Sequence, residues 1–262
     1  MDSASSPRRV IFNQGRPYVE PPSFKATLGG DHAFYNDRYN ACELQSNKVQ
    51  VPVAYTYTTG HKAIRIAKQL FSMLFFPLGI YKLIHSLAGQ IAILPACNYL
   101  KKDVDALRSR VSFNGEWKYK RITVAVDGYK IDAVIVGKAA TLNNGRWVLA
   151  SNGNGELYET TLVYHSDFKE ILSSIKGNGI VFNYPGVGAS SGPPSRQAMA
   201  KAYRAILTFL EDQKNGIGAK EIIGYGHSIG AGVQSDALEA HELKKDVKYY
   251  DRKIRLENFI TF

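Results

Sequence analysis

Hydrophobic and polar positions alternate with a period of two from Arg121 to Val126 and again from Lys130 to Val136. That alternation predicts two strands. Asp127-Gly128 lies between them, and both residue types tolerate positive φ, so the pair predicts a tight antiparallel hairpin. Trp147–Ser151, Ile180–Tyr184 and Glu221–Tyr225 are short apolar runs bounded by turn residues, the pattern of buried strands. Helical patterns alternate with them. Glu156–Lys176 predicts one helix, closed by Gly177. Ser195 is placed to cap a second helix running to about Asp212, with Met199, Tyr203, Ile206 and Leu210 on one face. Ile229 to about Leu243 predicts a third, and Ile254–Phe262 predicts the start of a further strand. The succession predicts an α/β fold: a mostly parallel sheet with helices on both faces and an antiparallel hairpin leading into it.

This regular pattern occupies residues 111–262. Upstream, residues 1–60 are rich in Pro, Gly, Tyr and Asn and include Pro21-Pro22 and Gly29-Gly30. They predict a poorly structured arm. Residues 61–102 form an apolar helical segment. Leu70–Tyr81 is uncharged, Lys82 interrupts, and Leu83–Leu100 carries no formal charge. Neither run reaches the ~20 residues a spanning helix needs. Three readings stand open. The segment is an interfacial or re-entrant membrane element with basic flanks, a span in which Lys82 faces protein or snorkels, or a buried helical hairpin.

Composition narrows the classes. Thirty-three Lys and Arg against 23 Asp and Glu give a net charge of +10. Such a charge favours acidic partners, but the basic residues are spread along the chain and form no nucleic-acid recognition signature. Two distant cysteines, Cys42 and Cys97, make neither a disulfide framework nor a metal-ligand spacing. No cofactor or metal is implied. Met1–Val10 lacks the apolar core of a secretory signal, so the expected location is cytoplasmic or membrane-associated.

The candidate chemistry lies at Gly226-His227-Ser228-Ile229-Gly230, which fits G-x-S-x-G between a strand and a small-residue helix. A sharp turn there exposes the Ser228 hydroxyl as a nucleophile. It also aims the Ile229 amide at a developing oxyanion. Side chains at 226 or 230 would collide with the neighbouring strand or helix. The bland alternative is a small-residue turn with Ser228 as a helix cap. A second oxyanion amide is expected from the Ser151-Asn152-Gly153-Asn154-Gly155-Glu156 loop, with Asn154 or Gly153 as candidate donors. The Tyr184–Gly192 loop is expected to shape the pocket mouth. Dinucleotide fingerprints fail, because 191 is Ser and 229 is Ile where glycine is required.

Phe182-Asn183-Tyr184-Pro185-Gly186-Val187-Gly188, taken with Gly224-Tyr225-Gly226-His227-Ser228-Ile229-Gly230, resembles the chlamydial CHLPS proteins of the α/β-hydrolase superfamily. Phe76-Pro77-Leu78-Gly79-Ile80-Tyr81-Lys82-Leu83-Ile84-His85 is similar to the upstream part of that family. The resemblance covers roughly residues 60–262. It implies an α/β-hydrolase fold, Ser228 as nucleophile, and a protein of an intracellular bacterium. It also implies that the triad's acid and histidine follow the serine in chain order. They are expected beyond Phe262, so that the fold is incomplete at its C-terminus. His241, thirteen residues after Ser228, is expected on the helix surface about 20 Å away. Asp236, Asp246 and Asp251 are expected as solvated charges, and His227 is expected to point away from Ser228.

Two functions follow. The first is a serine hydrolase of the esterase, lipase or thioesterase type acting on a small acyl substrate, with little turnover as the 262-residue chain. The second is a non-catalytic protein on a hydrolase scaffold that binds a partner or, through residues 61–102, a membrane surface.

Overall fold

The hairpin forms around the turn that the Asp-Gly pair predicts. In the computed structural model, β2 (Trp117–Val126) and β3 (Tyr129–Lys138) pair antiparallel, with Val126 opposite Tyr129. Asp127 and Gly128 take φ of 47° and 99°, the two positive values of a type I′ turn. The structure describes residues 51–57, 76–88, 95–110, 116–138, 140–141, 144–164, 166–213 and 216–253, with a few helical positions between 64 and 71.

The remaining strands are β1 (Val51–Tyr57), β4 (Arg146–Ser151), β5 (Asn178–Phe182), β6 (Glu221–Gly226) and β7 (Lys248–Lys253). They join the hairpin in one sheet of order β1-β2-β3-β5-β4-β6-β7. Among the described strands only β3 runs against its neighbours; the β1–β2, β5–β4, β4–β6 and β6–β7 pairs are parallel. This is the mostly parallel sheet of an α/β-hydrolase-type fold. Its central strands, β2 to β5, are buried on both sides, as parallel sheets are.

Alternate residues feed two cores. Ile122, Val124, Ile135, Leu149, Ile180 and Phe182 pack on one face under α5 (Arg196–Glu211) and α6 (Ile229–Glu239). Tyr119, Val134, Val136, Val148 and Val181 pack on the other face under α3 (Tyr158–Tyr164) and α4 (Ser166–Ser174). Ser195 caps α5 by accepting from the Ala198 amide, and Met199, Tyr203, Ile206 and Leu210 are buried. Ahead of the hairpin lie α1 (Phe76–Ala88), a 3-10 turn (Pro95–Asn98) and α2 (Lys101–Ser109). No described helix is long and apolar enough to cross a membrane.

Three elements differ from the sequence pattern. Val51–Tyr57 lies within the stretch assigned to the irregular arm, yet it forms β1 at the sheet edge, where Pro52 is tolerated. Residues 1–50 lie outside the described residues. The helix expected over Glu156–Lys176 is two helices. Phe168 and Leu172 of α4 reach the sheet, where Gly179 leaves room for the Phe168 ring. β7, the last described strand, lies where the sequence pattern predicts none, because Lys248–Lys253 is mostly charged and carries no apolar signal. Ile254–Phe262 lies outside the described residues.

One buried polar network ties the first half of the sheet together. Asp132 on β3 accepts two hydrogen bonds from Arg121 on β2, at 2.7 and 2.9 Å, and both side chains are fully buried. The Tyr158 hydroxyl donates to the same carboxylate at 3.0 Å. The Asp132 amide donates to Ser190 Oγ, and the Ser190 hydroxyl donates to the Asn183 carbonyl. Asn183 in turn accepts from the Tyr158 amide and donates to Glu159. Thus the loop after β5 is fastened inward at Val187 and Ser190, which are buried, while Gly188 and Ser191 are exposed.

Removing one partner of a buried ion pair strands the other charge, which costs about 3–5 kcal/mol. Asp132→Ala is therefore expected to lower the unfolding free energy by about that amount in a urea titration. Tyr158→Phe, which removes one hydrogen bond, should cost about 1 kcal/mol.

Candidate functional site

β6 ends at Gly226 and α6 begins at Ile229, so the chain reverses direction over His227 and Ser228. The reversal is sharp. Ser228 adopts φ 52° and ψ −120°, a conformation that residues with a Cβ rarely take. Such a backbone costs on the order of 1–3 kcal/mol and persists only where its surroundings impose it.

Two close approaches impose it here. A Cβ on Gly226 would stand 2.7 Å from the backbone of Ala231, inside the first turn of α6. A Cβ on Gly230 would stand 2.3 Å from the Ser151 carbonyl oxygen and 2.8 Å from that of Asn152. Glycine at 226 lets the first turn of α6 lie close to the end of β6, and glycine at 230 lets α6 press against the end of β4. The contact is then stitched by hydrogen bonds. The Ser151 hydroxyl donates to the Gly230 carbonyl at 2.9 Å, and the His227 amide donates to the Ser151 carbonyl at 3.1 Å.

Ser228 does not serve as a capping side chain, because its hydroxyl takes no hydrogen bond from the first turn of α6. The amides of that turn are otherwise occupied: Gly230 donates to the His227 carbonyl and Ala231 to the Ser228 carbonyl. The Ile229 amide has no acceptor among the described residues. It lies at the N-terminal end of α6, where the helix dipole favours negative charge.

The 152–156 loop is held from below. Tyr184 donates to the Asn152 carbonyl at 2.8 Å, and burial pushes the Tyr184 pKa upward, keeping it a neutral donor. The Asn152 side chain donates to the Phe182 carbonyl and accepts from Thr161. The Gly153 amide donates to Glu156 Oε2 at 2.6 Å. This amide is therefore committed to a carboxylate and is not the second free donor that the sequence allowed. Asn154 is exposed, and its amide has no acceptor among the described residues.

Glu156 also reaches the turn. Its other oxygen lies 2.8 Å from His227 Nδ1. One carboxylate thus joins the 152–156 loop to the β6–α6 turn. Sequence reasoning gave Glu156 no role. The available signal was a carboxylate three residues after Gly153, the reach of a capping-box glutamate, combined with a histidine in the turn. A Cβ on Gly153 would approach His227 Nδ1 to 2.7 Å, so glycine there keeps this bridge short.

The other titratable candidates lie elsewhere. His241 is not a solvated surface residue. It is packed between α6 and α5, with Nε2 2.8 Å from the buried Glu211, which also accepts from the Tyr249 hydroxyl at 2.7 Å. Asp236 is gripped by two bonds from Arg196, which hold its carboxyl below the usual carboxylate range. Asp246 accepts from Gln213. Burial pushes the Cys97 thiol up, away from thiolate chemistry. His32, His61, His165 and Cys42 lie outside the described residues. Among the described residues no three His, Cys, Asp or Glu side chains gather into a metal-binding group.

Several solved structures are similar to this chain. An esterase of Pyrococcus furiosus, Pf2001, is 20% identical with a TM-score of 0.40, over 57% of this chain and 51% of that one. A cold-adapted esterase from an Arctic intertidal metagenomic library is 15% identical with a TM-score of 0.39, over 53% of this chain and 62% of that one. An alpha-beta hydrolase of Vibrio vulnificus is 19% identical with a TM-score of 0.38, over 51% and 48% respectively. The chain thus spans about half the length of the Pyrococcus esterase. No curated protein matches it. Residues 40–250, most of the chain, match the family model of the Chlamydia CHLPS protein (DUF818), and the chain belongs to that family.

Proposed function

We propose that the protein is a serine hydrolase of the esterase, lipase or thioesterase type, with Ser228 as its nucleophile. The observation that carries this reading is the Ser228 backbone. A positive φ is kept at a residue with a Cβ, its hydroxyl caps nothing, and the next amide has no acceptor. A capping or packing serine needs none of these.

In the proposed reaction Ser228 Oγ bonds to an acyl carbonyl carbon and passes its proton to a general base. The carbonyl π electrons move onto oxygen, where the Ile229 amide and the Asn154 amide donate to the oxyanion. Collapse breaks the acyl C–O or C–S bond, and the base hands its proton to the leaving alcohol or thiol. The base then takes a proton from water, which attacks the acyl-serine, and returns it to Ser228 Oγ as the acid leaves. Among the described residues no hydrogen bond joins the Ser228 hydroxyl to His227 or His241, the two histidines whose side chains are described; each faces a glutamate instead. The general base and its orienting acid are assigned to residues outside the described ones, following the Ser–acid–His chain order. The lack of a described base on Ser228 favours a second reading, a non-catalytic protein on the hydrolase scaffold.

Glu156 and His227 are positioning residues on the hydrolase reading. They hold the loop that carries the Asn154 amide against the turn that carries Ser228.

Labelling with a fluorophosphonate, followed by intact mass, separates the two readings. The 262-residue chain is expected to react slowly, to react faster when imidazole is supplied as an external base, and to gain one adduct. Ser228→Ala should gain none. Wild-type chain that stays unlabelled with imidazole present would leave the scaffold reading in place. Glu156→Gln keeps the volume but disturbs both contacts of the carboxylate. It is expected to slow imidazole-assisted labelling about tenfold, because misplaced oxyanion donors forfeit transition-state stabilisation. Its melting temperature should change by only a few degrees. Labelling at the wild-type rate would remove Glu156 from the site.

A further inference from the structure

Residues 61–102 carry six lysines and arginines, Lys62, Arg65, Lys68, Lys82, Lys101 and Lys102, and no aspartate or glutamate. The chain as a whole has 33 basic and 23 acidic residues, so this segment departs sharply from the average. Within it, α1 turns an apolar stripe outward. Ile80, Leu83, Ile84 and Leu87 are 41%, 60%, 59% and 47% exposed. Their i, i+3, i+4, i+7 spacing puts them on one side of the helix. Tyr81 at the flank is exposed as well, as are Leu70 and Phe71 upstream and Leu100 just before Lys101.

We propose that α1 and its flanks dock the protein on an anionic lipid surface, with the stripe lying in the headgroup boundary rather than crossing the bilayer. The described helix spans thirteen residues, ~20 Å, against a hydrocarbon core of about 30 Å, and no described helix is long and apolar enough to cross it. Charge selects the occupant. A basic segment free of carboxylates complements phosphate headgroups, and basic charge with an exposed apolar stripe is the combination that holds an interfacial helix. A second copy of this chain would bring the same positive segment against itself. The proposal does not rest on the hydrolase reading, because its test reads partition and not turnover.

The test is flotation of the full chain with vesicles of phosphatidylcholine, with and without phosphatidylglycerol. The chain is expected to float with the anionic vesicles, and less so without phosphatidylglycerol or in high salt. Leu83→Glu combined with Ile84→Glu should weaken binding about tenfold or more, because two apolar contacts become charges. These positions are exposed, so an unchanged melt should show that the variant is folded. A Tyr81→Trp variant gives a second readout: its added emission should shift to the blue when anionic vesicles are present. Three results would overturn the proposal: no flotation with anionic vesicles, flotation unaffected by the double substitution, or a dimer in light scattering that the same substitution dissolves.

Discussion

The carboxylate of Asp132 is the constraint on which the first half of the fold depends. It sits fully buried in the middle of β3 and would be intolerable there alone. Arg121 from β2 and Tyr158 from α3 satisfy it, while its own amide reaches Ser190 in the loop after β5. A hairpin, a helix and a loop are thereby fixed to one point. Hydrophobic burial alone would hold these elements together, but it is not directional. The network supplies the register that burial lacks, and with it the position of α3 directly after the 152–156 loop.

That position matters because the candidate site is made where two chain reversals meet. One follows β4 and the other follows β6, and these strands are adjacent and parallel in the sheet. Glycines at 226 and 230 remove the atoms that would hold the reversals apart, and Glu156 bridges what remains. The same residues thus do packing and site-building together. A small-residue turn of this kind has little tolerance: the nearest backbone atom stands 2.3 Å from where a Gly230 Cβ would be.

Much of this was legible in the sequence. Period-two alternation around Asp127-Gly128 specified the hairpin, because that turn admits positive φ at both positions. The G-x-S-x-G spacing between a strand and a helix placed the Ser228 reversal. What escaped has physical reasons. β7 is charged at four of its six residues, so it carries no apolar run to reveal it. Asp132 stands in an apolar run, and nothing local shows that its partner lies eleven residues earlier on a neighbouring strand. Glu156 and His227 are 71 residues apart, and their contact exists only once β4 and β6 are neighbours. His241 looked solvated because its partner, Glu211, belongs to another helix.

The left-handed backbone at Ser228 has a consequence for how this protein would respond to selection. Glycine is the one residue that relaxes such a φ without strain. At 228 it would also delete the hydroxyl. Directed evolution for heat resistance alone would thus be drawn to glycine at this position and would converge on a sturdier molecule without the hydroxyl proposed as nucleophile. A library screened for thermostability therefore needs position 228 held constant, or a simultaneous screen for the reactivity assigned to it.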